Sequence, residues 1–154
     1  MGRTLTIYFR SLILQSPCDR MSDCIFCKIV NREVPNYTIY EDADVLAFLD
    51  INPHARGHAV VIPKSHIESV LDMSDTDLAQ VIRGVTQVVT RIEKALQPDG
   101  YNIGWNDRKA AGQAVPHFHV HILPRWQGDG GGSMHSIIKN PDGQSVEEVA
   151  KLFA

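Results

Sequence analysis

One run of seven residues limits what this chain can become: His117-Phe118-His119-Val120-His121-Ile122-Leu123. Histidine takes every second place and an apolar residue fills each gap. Successive side chains of a β-strand point to opposite faces, so the alternation predicts three imidazoles on one face and Phe118, Val120 and Ile122 on the other. The apolar face can pack into a core, and a slip of one residue would bury the imidazoles instead, so the register is strongly specified. Imidazole is the side chain whose ordinary pKa lies nearest neutrality. Three of the chain's seven histidines fall within five residues, which points to chemistry rather than packing.

A chain of 154 residues suits one domain with a real core. The net charge of −3 supplies no field to recruit nucleic acid or an anionic membrane. No apolar run reaches the length of a bilayer span. The three cysteines, Cys18, Cys24 and Cys27, do not read as a disulfide framework. A reducing compartment follows, and the expected location is cytoplasmic. Residues 1–20 carry Arg3, Arg10 and Arg20 with no acid before Asp19. They read as a mitochondrial-type transit peptide or as a disordered extension ahead of a second start at Met21. Either way the folded domain is expected over 21–154, with a C-terminal tail from about residue 126.

Strands are predicted at 38–40, 45–49, 58–63, 101–106 and 117–123, mostly joined by short turns. The 58–63 run is apolar almost throughout, so both its faces should be covered. Cys24 to Val30 suits a short helix. Ser74 and Asp77 form a capping-box-like pair ahead of a long helix whose stripe is Leu78, Val81, Ile82, Val85, Val88, Val89, Ile92 and Leu96. Pro98 and Gly100 stop it. Gly128-Asp129-Gly130-Gly131-Gly132 reads as a flexible segment, and Ser145 with Glu148 opens a short C-terminal helix. The class is α+β: an antiparallel sheet, one long helix and short helices at both ends.

A neutral imidazole is a good nucleophile toward phosphorus, and phosphorus chemistry needs donors for the charge that develops on the non-bridging oxygens. The small-residue loop Ala111-Gly112-Gln113-Ala114 and the amides of Asn106 and Gln113 offer such donors directly before the histidine run. The run itself resembles the His-φ-His-φ-His-φ-φ pattern of the histidine triad (HIT) superfamily. The resemblance extends from about Cys24 to Arg125. It includes Cys24-Ile25-Phe26-Cys27-Lys28-Ile29, Phe48-Leu49-Asp50-Ile51-Asn52-Pro53, Gly57-His58, Val61-Ile62-Pro63-Lys64 and Ala111-Gly112-Gln113, and is nearest to the small Hint-type nucleotide hydrolases.

That resemblance implies a HIT-like fold with a five-stranded antiparallel sheet. It also implies a hydrolase or transferase cleaving at the α-phosphorus of purine nucleoside phosphoramidates, such as AMP-amine conjugates. His119 would be the nucleophile and carry the nucleotidyl group, with His121 and His58 orienting it and contacting phosphate oxygens. Asp50 would take the ribose hydroxyls, Ile25, Phe26, Phe48 and Ile51 the purine, and Asn106, Gly112, Gln113 and Ala114 the phosphate surroundings. Ala114 departs from the serine that Hint-type relatives often carry, and alanine has no side-chain donor for a leaving group. Cys24-x-x-Cys27 by itself is divided between zinc, redox chemistry and chance. Within the family, members with this pair bind zinc using a Pro-Lys-x-His histidine and the first triad histidine, here His66 and His117. Such a site is closed and structural, with no cofactor needed for hydrolysis. The resemblance also implies a homodimer. The competing readings are a nucleotide-binding scaffold protein with incidental turnover, and a metal-dependent hydrolase.

Overall fold

The five strands are β1 (Thr38–Glu41), β2 (Val45–Leu49), β3 (Ala59–Pro63), β4 (Gly100–Gly104) and β5 (Val120–Arg125). They form one antiparallel sheet in the order β1-β2-β3-β5-β4. This arrangement comes from a computed structural model that describes Cys18, residues 23–138 and residues 145–153. The expected N-terminal extension otherwise lies outside the described residues; within it, Cys18 is buried.

The β1–β2 hairpin closes on Asp42, whose Oδ1 accepts from the backbone N–H groups of Asp44 and Val45, both at 2.9 Å. Central β3 is buried at every position, as its unbroken apolar sequence requires. Ala59 and Val61 face the long helix α2 (Asp75–Leu96), while Val60 and Ile62 pack with Ile29 of the short helix α1 (Ile25–Val30). Ser74 and Asp77 form the anticipated reciprocal cap at the start of α2. Val81, Val85, Val88 and Ile92 deliver its buried stripe. The stripe is narrower than the sequence suggested, since Ile82 is exposed. Gly84 lets the helix approach the sheet: a Cβ there would come within 2.8 Å of a Val45 methyl. The helix ends on Gln97, in the left-handed conformation at φ 48°.

Three local expectations change. The β4 strand stops at Gly104 rather than Asn106, and β5 begins only at Val120, so His117 and His119 lead into the strand. The cause lies in the backbone. The Phe118 N–H donates to the Ile67 carbonyl at 2.5 Å instead of joining the β3 ladder, whose pairing ends at Val61 opposite Val120. This detour draws the first triad residue toward the loop that carries His66. The glycine-rich segment is also anchored rather than loose. The Arg125 guanidinium grips both oxygens of Asp129 at 2.6 Å and reaches the Gly132 carbonyl at 2.8 Å and the Asn102 side chain. The capped helix α3 (Val146–Ala150) is followed by a 3-10 turn over Lys151–Phe153. Among the described residues, no helix is long and apolar enough to cross a membrane.

Candidate active site and metal centre

On the α1 side of the sheet lies a cavity of about 630 Å³. Ile25, Phe26, Phe48 and Ile51 line it together with Asp50, His58, His119 and His121, and with Asn106, Gly112 and Ala114 from the loop before the triad. These residues come from α1, the end of β2, the start of β3 and the approach to β5, so one cavity collects segments far apart in sequence. Gln113 is the expected site residue that does not line it. Its amide nitrogen donates to the Glu68 carbonyl at 2.8 Å and its amide oxygen accepts from the Arg108 N–H at 2.6 Å. Gln113 thereby braces the loop rather than facing a ligand. Within that loop Gly112 sits at φ 92°, a conformation that costs glycine nothing. The sequence reading missed Trp105, Met134 and Ile137, which line the same cavity. Trp105 stood in a predicted strand, and Met134 and Ile137 lie beyond a segment read as flexible.

The triad alternates with the core-facing residues as predicted, but its first two imidazoles are buried and His121 is half-buried. His117 is 0% exposed and His119 5%. Phe118, Val120 and Ile122 pack into the α2 core on the opposite side. The His119 Nδ1–H donates to the His117 carbonyl at 2.7 Å. A carbonyl can only accept, so the proton belongs to Nδ1 and the lone pair to Nε2. His121 stands beside it, ring centres 4.9 Å apart. Behind them the His54 backbone N–H donates to His58 Nδ1 at 3.3 Å. That leaves the proton of His58 on Nε2, which donates to His121 Nδ1 at 3.0 Å and lies 3.7 Å from Asp50 Oδ2. His121 then presents Nε2–H. Burial holds His58 and His119 below the ordinary imidazole pKa, and burial with His119 and His58 nearby brings His121 down to about 4. All three are therefore neutral at pH 7. Asp50, His58 and His121 also have metal-ligand atoms within 4.8 Å of one another. A metal on His58 Nε2 would push its proton onto Nδ1, against the His54 N–H, so this group is arranged for protons.

The second cluster is Cys24, Cys27, His66 and His117, whose ligand atoms all lie within 4.8 Å of one another. His117 Nδ1 is 3.5 Å from Cys24 Sγ and 3.8 Å from Cys27 Sγ, and His66 Nδ1 is 3.3 Å from Cys27 Sγ. The His117 Nε2–H donates to the Pro63 carbonyl at 3.0 Å, and His66 Nε2 faces the Glu68 carboxylate at 3.5 Å. Both rings thus turn an Nδ1 lone pair inward, with outer partners of the kind that orient metal-bound imidazoles. Burial, with Cys18 and Cys24 alongside, pushes the Cys27 thiol well above its usual range, so its thiolate needs a cation for company. Two thiolates and two neutral imidazoles suit tetrahedral Zn²⁺. The four donors could hold such an ion between α1 and the triad segment.

The HIT domain family model matches residues 31–128. The chain belongs to the HIT family. Its HIT relatives include a HIT-like protein of Methanocaldococcus jannaschii, 48% identical over 83% of this chain and 96% of the relative. An adenosine 5'-monophosphoramidase of Schizosaccharomyces pombe is 42% identical over 66% of this chain and 74% of the relative. The crystal structure of a HIT family member from Bacillus subtilis superposes with a TM-score of 0.74 at 39% identity, covering 85% of this chain and 92% of that one. The five-stranded antiparallel α+β architecture is that of the HIT fold.

Proposed function

We propose that this HIT protein hydrolyses purine nucleoside 5'-phosphoramidates, such as AMP-amine conjugates, through a nucleotidyl group held covalently on His119. The observation that carries this reading is the hydrogen bond from His119 Nδ1–H to the His117 carbonyl, which leaves Nε2 as the free nucleophile in the cavity. Nε2 attacks the α-phosphorus, the phosphorus–amine bond breaks, and the amine leaves with a proton drawn from solvent. Water then adds to phosphorus, the phosphorus–His119 bond breaks, one proton of that water returns to solvent, and AMP leaves with His119 neutral again. His121 Nε2–H is available to a non-bridging oxygen or the leaving amine, and Asp50 accepts from ribose hydroxyls. Ile25, Phe26, Phe48 and Ile51 form the apolar slot for the base. The phosphoramidase named among the relatives supports the substrate class.

Zinc on Cys24, Cys27, His66 and His117 is part of the proposal as a structural ion that takes no part in hydrolysis. A homodimer is part of it too, supported by the position of β4 at a sheet edge with Ile103 and Trp105 exposed there. Light scattering tests the dimer. The decisive experiment incubates wild type and His119→Asn with an AMP-amine substrate and traps the adduct. An acid-labile nucleotidyl group on His119, absent from the variant, is the expected result. Equal hydrolysis by both proteins would end the mechanism.

A further inference from the structure

The loop that brings Asn106, Gly112 and Ala114 to the cavity is held from behind. Asp107 and Gln113 are chain neighbours of those residues, yet their side chains turn away from the cavity. Both reach one short segment, residues 68–70. The Asp107 carboxylate accepts from the Ser69 hydroxyl and from the Val70 N–H, each at 3.0 Å. The Gln113 amide donates to the Glu68 carbonyl at 2.8 Å. Between these anchors Arg108 holds φ 69° and ψ 164°, a backbone region that belongs to glycine. Three hydrogen bonds keep it there: its N–H donates to the Gln113 side-chain oxygen at 2.6 Å, and its carbonyl accepts from the N–H groups of Ala111 at 3.1 Å and Gln113 at 3.2 Å. The guanidinium of this exposed residue lies 3.8 Å from the Asp107 carboxylate, a contact that asks for no such backbone. What the conformation secures lies on the cavity side. Asn106 is half-buried there, and among the described residues its amide has no hydrogen-bond partner. Gly112 stands beside it, where a Cβ would lie 3.8 Å from the Asn106 Nδ2.

We propose that Asp107 and Gln113 are positioning residues: anchored on residues 68–70, they hold Arg108 in its glycine-like turn and so aim the Asn106 amide at a non-bridging phosphate oxygen. The effect on turnover rests on the phosphoramidate reading, whereas the brace itself does not. Charge grows on the non-bridging oxygens as the nucleotidyl group moves to His119. A donor already aimed at them stabilises that charge without reorganising. Without its anchors Arg108 relaxes to negative φ, the region open to an L residue, and the chain on either side swings with it. The base and ribose contacts of the same reading come from α1, the end of β2 and Asp50, none of which the brace touches. Its loss therefore falls on kcat and leaves KM nearly unchanged.

The test compares full-length wild type with Asp107→Ala, Gln113→Ala and Asp107→Asn, and with each alanine variant carrying Arg108→Gly as well. Steady-state hydrolysis of an AMP-amine is measured beside amide hydrogen exchange of peptides spanning residues 106–114. Each alanine variant should lose kcat roughly ten- to a hundredfold with KM within about twofold of wild type, and its loop should exchange faster. Asp107→Asn still accepts from the Val70 N–H and donates to the Ser69 hydroxyl, so it should keep most of the rate. Arg108→Gly should restore the greater part of what either alanine variant lost, because glycine adopts that turn without being held. A kcat unchanged in both alanine variants overturns the proposal, and so does a loss equally deep with arginine and glycine at position 108. Hydrogen exchange separates the two readings. Loop exchange that quickens in the alanine variants and slows again with glycine, in a protein that hydrolyses no AMP-amine, upholds the brace and ends the phosphoramidate reading; exchange that never changes ends the brace.

Discussion

His117 and His119 are two residues apart, yet their imidazoles enter different environments. His117 turns Nδ1 toward two cysteine sulfurs and spends its Nε2–H on the Pro63 carbonyl. His119 does the reverse, spending Nδ1–H on the His117 carbonyl and turning Nε2 toward the cavity. In both cases a backbone carbonyl chooses the tautomer. The difference lies in what faces the remaining lone pair: sulfur donors placed with it as a group that could hold a metal ion, or an open cleft with apolar walls and a carboxylate. In the proposed reading, identical side chains become a metal ligand and a nucleophile because neighbouring peptide groups assign their protons.

The largest effect that would break this comparison is at His119. His119→Asn should lower turnover of an AMP-amine by on the order of 10³-fold or more, while calorimetry shows AMP still bound. The partner test removes the metal. Chelation should lower Tm by roughly 5–10 °C, the consequence of about 3 kcal/mol of linkage at metal a hundredfold above its Kd. Turnover measured well below that Tm should persist, and activity that vanishes with the metal and returns with it would erase the distinction between the two clusters.

The pH dependence follows next. His58, His119 and His121 are held below the ordinary 6.5, His121 at about 4, chiefly by burial. Protonation removes the lone pair, so kcat/KM should stay level as pH falls through 6.5 and decline only below it, about tenfold per pH unit once the limb is reached. The unfolded chain takes up protons first. These histidines therefore leave stability intact above about pH 6.5 and erode it as pH falls toward 4, which acid titration of Tm checks. A kinetic limb centred at or above 6.5 would mean the imidazoles are solvated. The smallest effect sharpens the site's description. Ala114→Ser adds a donor at the cavity wall, and a new hydrogen bond of about 0.5–1.5 kcal/mol should raise turnover of poor-leaving amines roughly two- to tenfold. No change would place the leaving group elsewhere.

Much of this was legible in the chain. The 3.6-residue stripe of α2, its Ser74–Asp77 cap and the unbroken apolar β3 run are local patterns whose physical causes lie within a few residues. Most of the cavity wall followed from family resemblance, because ordered motifs far apart in sequence were read together. Gln113 was misplaced because an amide beside a glycine turn serves a phosphate or the loop's own backbone equally well. Met134 and Ile137 escaped because the glycine run before them reads as slack, whereas Arg125 and Asp129 pin it. Cys18 was set apart with the N-terminal extension, since no local pattern reports that a residue folds back onto Lys64.

The sequence alone determined the alternation along this run, with Phe118, Val120 and Ile122 in the core and the histidines turned away from it, because extended backbone sends successive side chains to opposite faces. Only the tertiary structure decided what each imidazole does. Protons on a histidine are assigned by whichever carbonyl, N–H or sulfur lies opposite each ring nitrogen. Those partners, Pro63, His54, Cys24 and Cys27, reach the triad from distant segments through the folding of the sheet and α1.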